Sequence, residues 1–277
     1  MPVIDLTNCT GCLKCVKDCP ANAITISTGL IADTCIHCGH CIAICPEATV
    51  FPDKGEIVPL HPHSVTSEDF VWFSAGIRSC RSYQSKEVPN DILMQLVTNL
   101  KHCPSASNAR PLQITVVRTP EKVQLLNKLT EDSLIRLFTV ITSPIIGGLI
   151  GLFAPKMNIA KLRRYKDSFL KKRLGNSSLI CHHAPAVILF HGPESKTGML
   201  EADANIWATY LSLHAGSLGL ATCFIGFIVK AMGKTGKYNH PFGIPESNRI
   251  YAALLVGYPK VKYKQECSRE SPDFELV

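Results

Sequence analysis

Eight of the 13 cysteines fall into two runs, Cys9, Cys12, Cys15 and Cys19, then Cys35, Cys38, Cys41 and Cys45. Each is spaced C-x2-C-x2-C-x3-C, each ends against a proline (Pro20, Pro46), and the second repeats the first 26 residues on. Thiolate is a soft ligand that suits zinc and iron–sulfur clusters. A structural zinc site draws its four ligands as two separated pairs. Three cysteines set two residues apart instead wrap the corners of a cubane, and the closing Cys-Pro belongs to the bacterial [4Fe–4S] pattern. The chemistry such runs support is one-electron transfer.

Residues 1–55 resemble the bacterial-type dicluster ferredoxins. In such runs the fourth cysteine ligates the other cluster, so the resemblance implies that Cys9, Cys12, Cys15 and Cys45 hold one [4Fe–4S] cluster and Cys35, Cys38, Cys41 and Cys19 a second. Gly11 and Gly39 sit inside the ligand loops, where backbone N–H groups can approach sulfur and tune the potential. The apolar stretches "AITI" and "ATVF" after the prolines read as short strands closing each half. So small a domain has little apolar surface of its own, and metal loss should unfold it.

At 277 residues and 46% hydrophobic, the chain can bury a sizeable core. Its formal charge is +7, yet residues 1–55 carry Lys14, Lys17 and Lys54 against Asp5, Asp18, Asp33, Glu47 and Asp53, so the front is acidic and the remainder basic. No leader-like segment follows Met1. A cytoplasmic, reducing setting is therefore expected, and there thirteen cysteines argue for metal binding or thiol chemistry rather than a disulfide framework. Residues 56–69, rich in proline and polar residues, read as a linker, and His61 and His63 as part of it.

The elements that would position a second site lie in residues 70–277. Ser67 is a plausible N-cap, Pro89 opens an amphipathic helix, and Ala202 to Leu218 shows helical spacing closed by Gly219. Strands are expected at 113–117, 186–190 and 250–256. The fold class is α+β: a small dicluster ferredoxin-like domain, then a layered domain with a central sheet flanked by helices.

Four stretches carry candidate chemistry there. In "IRSCRSY", Arg78, Ser79 and Arg81 set two cations and a hydroxyl within four residues, a combination suited to a phosphate dianion or to a solvated surface. In "PSASNARP", Ser105 and Asn108 offer a hydroxyl and an amide, groups that serve a polar ligand edge or simply a turn. "GLATCFIG" ends in Ile225 and Gly226, and "GIPESNRIYAALLVGYP" precedes Lys260, Lys262, Lys264 and Arg269. In this order and spacing the stretches resemble the nitroreductase family over residues 70–265, and the whole chain is similar to ferredoxin–nitroreductase fusions. The resemblance implies that Arg78, Ser79 and Arg81 hold an FMN phosphate, completed by Lys264. It implies that Ser105 and Asn108 meet the flavin edge or ribityl chain, that Gly226 lies against the ring and that the Ile225 N–H faces flavin N5. Family members often carry Gln-Pro-Trp after the asparagine, where this chain has Arg110, Pro111 and Leu112.

The resemblance also implies an intertwined homodimer, a helical cover over residues 130–180, and no indispensable catalytic side chain, since the cofactor carries the chemistry. Leu137 to Pro155 has no charge and is followed by a basic segment. That pattern fits a pocket lid or dimer contact ahead of a peripheral membrane contact; prolines and glycines within it argue against a span. No aromatic platform accompanies the charge, so nucleic acid is not expected. The implied function is electron flow from a low-potential donor of an anaerobe (ferredoxin, a reductase or NAD(P)H), through two [4Fe–4S] clusters and FMN, to nitroaromatic, nitroheterocyclic or quinone acceptors. Reduction of an activated alkene or other unsaturated metabolite, and an electron-transfer adaptor or redox sensor, stay open beside it.

Overall fold

The computed structural model describes residues 1–60, 65–153, 158–174, 178–195, 198–233, 236–266 and 269–277. His61 and His63 lie outside the described residues. The chain forms two compact units: unit 1 is Met1–Thr66 with Ser105–Arg110, and unit 2 is Ser67–Pro104 with Pro111–Val277.

Unit 1 runs β1 (Val3–Ile4), α1 (Lys14–Lys17), β2 (Ile24–Thr25), β3 (Leu30–Ile31), α2 (His40–Ile44) and β4 (Val50–Phe51). β1 pairs antiparallel with β4 and β2 with β3. The two apolar stretches after the prolines thus supply β2 and β4. Their partner strands, two residues long, are too short to display alternation in sequence. Both helices start from a left-handed residue, Leu13 (φ 58°) before α1 and Gly39 (φ 76°) before α2, which turns the chain sharply between the second and third cysteine of each run. The core cluster is Ile4, Cys15, Cys41 and Val50, half of it cysteine.

Unit 2 contains α3 (Ser67–Gly76), α4 (Asn90–Thr98), β5 (Gln113–Val117), α5 (Pro120–Ile141), α6 (Pro144–Phe153), α7 (Ile159–Leu174), β6 (Ala186–Pro193), α8 (Leu200–Ser217), β7 (Ala221–Phe224), α9 (Gly226–Met232) and β8 (Asn248–Gly257). The strands form one antiparallel sheet ordered β5-β6-β8-β7. β6 is buried on both faces: Val187 and Leu189 enter one core cluster with α5 and α9, while Ile188 and Phe190 enter another with α4 and α8. Its near-continuous apolar sequence is what burial on two faces demands. Each such side chain removed from water contributes about 1.5–3 kcal/mol. A register shift beside Phe190 and His191 leaves Tyr251 of β8 without a partner, so Ile250 shares a face with Ala253 rather than Ala252.

The apolar stretch from Leu137 is broken where Thr142 returns its N–H and hydroxyl to the Phe138 carbonyl (2.9 and 2.7 Å), after which Pro144 opens α6. Among the described residues no helix is long and apolar enough to cross a membrane. α7 follows with its apolar side turned inward: Phe169 is buried and stacks on Phe138 of α5, and both Phe169 and Tyr165 meet Phe227 of α9 edge-on.

Candidate functional site

In unit 1 the cysteines gather by interleaving the two runs. One cavity is lined by Cys9, Cys12, Cys15 and Cys45, the other by Cys19, Cys35, Cys38 and Cys41. Among the described residues no three side chains converge tightly enough for a single metal ion. Four sulfurs spaced around a cavity suit a larger cluster whose own atoms span the gap, and zinc does not. Backbone donors already point at the sulfurs: Gly11 N–H to Cys9 Sγ at 3.4 Å, His37 N–H to Cys35 Sγ at 3.4 Å, Ala23 N–H to Cys19 Sγ at 3.3 Å and Thr49 N–H to Cys45 Sγ at 3.4 Å. Donors arranged this way favour negative charge on sulfur, which fits the residues to iron–sulfur clusters. Burial pushes the Cys15 and Cys41 thiols up. It also pushes on Cys45, but there the hydroxyl and N–H of Thr49 outweigh it and hold the thiol below its ordinary value. Thr49 does not stand out in the sequence. Its signal is the 26-residue repeat, which places it opposite Ala23.

The segment Ser105–Arg110 folds with unit 1. Ser105 Oγ accepts the Arg110 N–H at 3.1 Å, closing the segment on itself. Asn108 Nδ2 donates to the carbonyls of Ile36 at 3.0 Å and His37 at 2.9 Å. The side chains assigned to a flavin edge are therefore held inside the unit that carries the cysteines, by a turn and by the Cys35–Cys38 ligand loop.

In unit 2 the segment from Ser79 to Gln84 is stitched to strand ends. Cys80 N–H donates to the Thr222 carbonyl at 2.9 Å, Gln84 N–H to Tyr258 at 2.8 Å, and Lys260 N–H to Ser82 at 2.9 Å. Tyr83 is buried there, its hydroxyl donating to the Cys80 carbonyl at 2.8 Å, and burial pushes its pKa up. Arg78 turns Nη1 onto the carbonyls of Ala75 and Ile77 at the end of α3, whereas Ser79 and Arg81 are exposed. Lys264 is exposed in the segment beyond β8.

Ile225 follows β7 directly. Its N–H donates to the Ala253 carbonyl at 3.0 Å, extending the β7–β8 pairing, so it is committed to the sheet rather than free for flavin N5. Gly226 differs: a Cβ built there would meet nothing within 4 Å. A side chain would find open space there, so the chain itself does not demand glycine at that point.

A cavity of about 720 Å³ in unit 2 is lined by Gln84, Arg118, Asn127, Glu131, Ser178 and His183 among others, and by none of the residues assigned to the flavin. Sequence reading misses its organiser, Asn127. The Asn127 side-chain oxygen accepts from Ser178 Oγ and from the Ile180 and Cys181 N–H groups, while Nδ2 donates to the buried Glu131 at 2.7 Å. The only trace in sequence is an Asn–Glu pair one helical turn apart.

A nitroreductase family model matches residues 75–258, and a 4Fe-4S dicluster domain model matches residues 1–46. A 45-residue stretch is 44% identical to a component of the ion-translocating oxidoreductase complex of Methanosarcina acetivorans, covering 15% of this chain and 17% of that protein. Unit 2 shares its fold with solved structures. A nitroreductase with bound FMN from Bacteroides fragilis aligns with a TM-score of 0.54 and 21% identity over 75% of this chain and 97% of that one. Another with bound FMN from Desulfitobacterium hafniense aligns with a TM-score of 0.53 and 17% identity over 75% and 97%. A matched family model spanning most of the chain, over an α+β fold of the same kind, settles the family. The chain belongs to the nitroreductase family and carries a 4Fe–4S dicluster domain ahead of that fold.

Proposed function

We propose that this protein is an FMN-dependent oxidoreductase fed by two [4Fe–4S] clusters of its own. The observation that carries the reading is the pair of cavities, each lined by three cysteines of one run and the fourth of the other, on a chain whose second unit has the nitroreductase fold. When bound, the clusters supply one-electron transfer and the flavin converts single electrons to pairs for an organic acceptor.

In this reading Cys9, Cys12, Cys15 and Cys45 hold one cluster and Cys19, Cys35, Cys38 and Cys41 the other. Ser79 and Arg81, with Arg78 beside them and Lys264 from the C-terminal segment, hold the FMN phosphate by charge-assisted hydrogen bonds. Gly226 leaves room for the ring. The donor is a low-potential protein or NAD(P)H, and the acceptor a nitroaromatic, nitroheterocycle or quinone. A homodimer is part of the reading, supported by Phe70, Val71 and Trp72 of α3, three consecutive apolar side chains left exposed.

The test is anaerobic purification followed by a visible spectrum, iron and sulfide counts and heat release of flavin. About eight irons and one FMN per chain are expected, since two cubanes carry four irons each. Stepwise reduction should then bleach the clusters and the flavin, and a nitro or quinone acceptor should reoxidise both. Flavin that never exchanges electrons with the clusters overturns the reading.

A further inference from the structure

We infer that Asn108 is a positioning residue for the cluster of Cys19, Cys35, Cys38 and Cys41: it holds His37 in the left-handed conformation that aims the His37 N–H at Cys35 Sγ. The inference deepens the proposed function and rests on it.

Both runs meet the same backbone requirement two residues after their first cysteine. Gly11 donates to Cys9 Sγ and His37 to Cys35 Sγ, each at 3.4 Å, and both have positive φ, 66° and 52°. Glycine enters that region freely, whereas a residue with a Cβ is disfavoured there by about 1–2 kcal/mol. Gly11 therefore keeps its N–H on sulfur unaided. At His37 a hold from outside the loop would offset that cost.

Asn108 supplies it. Two carbonyl acceptors, Ile36 at 3.0 Å and His37 at 2.9 Å, require the NH2 end of the amide to face the loop. The Ile36 carbonyl and the His37 N–H are opposite ends of one planar peptide group, so gripping the oxygen fixes where the N–H points. The same bond polarises the peptide and strengthens its donor end. The His37 carbonyl is gripped as well, which immobilises the peptide on the other side of the strained residue. Among the described residues no side chain hydrogen-bonds the Thr10 or Gly11 carbonyl, the corresponding places of the first run. Ser107 and Asn108 are themselves at positive φ (50° and 52°), as is Arg110 (47°), and the Ser105–Arg110 closure over-determines this strained turn. Within unit 1 the strained Ser105–Arg110 segment thus packs on the loop between Cys35 and Cys38.

The experiment is a redox titration of the anaerobically purified full chain followed by electron paramagnetic resonance, comparing wild type, Asn108→Ala, His37→Gly and the double variant. An N–H donor stabilises the added electron on the cluster, so its loss lowers the potential. Asn108→Ala should move the signal and potential of one cluster downward, or abolish that one signal, and leave the other cluster where it was. Adding His37→Gly should return it towards wild type, because glycine keeps the left-handed turn without being held. Unchanged signals in Asn108→Ala, equal shifts in both clusters, or no rescue by glycine each overturn the inference. Wild-type protein without iron and sulfide overturns the proposed function instead. A full complement of clusters with unmoved signals removes only the role of Asn108.

Discussion

Unit 1 gathers its core from Ile4, Cys15, Cys41 and Val50 between strands of two residues, while β6 of unit 2 by itself buries Val187, Ile188, Leu189 and Phe190 completely. Apolar burial of that extent sustains a sheet without help. Four buried residues with a few half-buried neighbours make a marginal core, and in the proposed reading metal–sulfur bonds from Cys15 and Cys41 supply the rest. The difference teaches that, in the proposed reading, one polypeptide joins a unit held by its cofactor to a unit held by its side chains, and each should fail separately.

Metal removal tests this most severely. In small metal-dependent domains binding contributes folding free energy on the order of 10 kcal/mol. Chelation of iron should therefore abolish amide protection across residues 1–66 while β6 and β8 keep theirs. Hydrogen exchange read by segment decides it, and protection of both units after iron loss breaks the comparison.

The converse perturbation strikes only unit 2. Phe190→Ala should cost about 3–5 kcal/mol, as for other fully buried aromatics, and lower the thermal midpoint of unit 2. The iron–sulfur absorption of the folded protein should stay unchanged. Loss of that absorption at temperatures where unit 2 is still folded would show that the units are not independent.

How much of this is legible in the sequence follows the same division. The cysteine spacing follows the pattern of cluster-binding runs, so the runs can be read directly, while their interleaving around two cavities comes from the resemblance to dicluster ferredoxins. Of the two-residue strands in unit 1, β2 and β4 show as apolar stretches after the prolines, while β1 and β3 leave no periodic trace. In unit 2 the long strands and α8 announce themselves because two-sided burial and helical spacing require particular residues. β7 reads only as a flavin motif, since "ATCF" is short and its alternation is masked by neighbours. The site is legible by residue type and not by partner. Ser105, Asn108 and the Ile225 N–H look like ligand groups, but a hydroxyl or amide in a loop carries no mark of whether it will meet a cofactor or its own chain. Asn108 shows the difficulty best: its partners are backbone carbonyls 71 and 72 residues away, which no local pattern encodes.

A smaller effect separates the units by pH. His191 on β6 is buried with Nδ1 facing the Asn248 amide nitrogen at 2.9 Å and Nε2 facing Thr115 Oγ1 at 3.0 Å. Asn248 Nδ2 can only donate, so Nδ1 accepts and Nε2 carries the proton. Burial holds the His191 pKa below its ordinary value of 6.5. The unfolded chain then binds the proton first, so this contribution to stability is complete above pH 6.5 and is lost as pH falls from there through the lower folded value. Exchange at β6 amides should accelerate below pH 6.5 in wild type. In His191→Asn that acceleration should be reduced; an unaltered pH profile would assign the acid sensitivity to other groups.

The finest contrast lies inside unit 1, between Thr49 and Ala23. Both follow the last cysteine of a run by four residues and both donate a backbone N–H to its sulfur, but only Thr49 adds a hydroxyl, 3.4 Å from Cys45 Sγ. A metal-bound cysteine is a thiolate with no proton to give, so the hydroxyl must be the donor. Thr49→Val keeps the shape and removes that donor. With a hydrogen bond contributing about 1 kcal/mol and a tenfold change in a one-electron equilibrium equal to about 59 mV, the cluster of Cys9, Cys12, Cys15 and Cys45 should fall by tens of millivolts. The other cluster should not move. Redox titration of this variant beside Asn108→Ala then assigns each signal to its cysteines, because the two substitutions lower different clusters; a shift of the same signal by both would mean that the interleaved ligand sets are wrong.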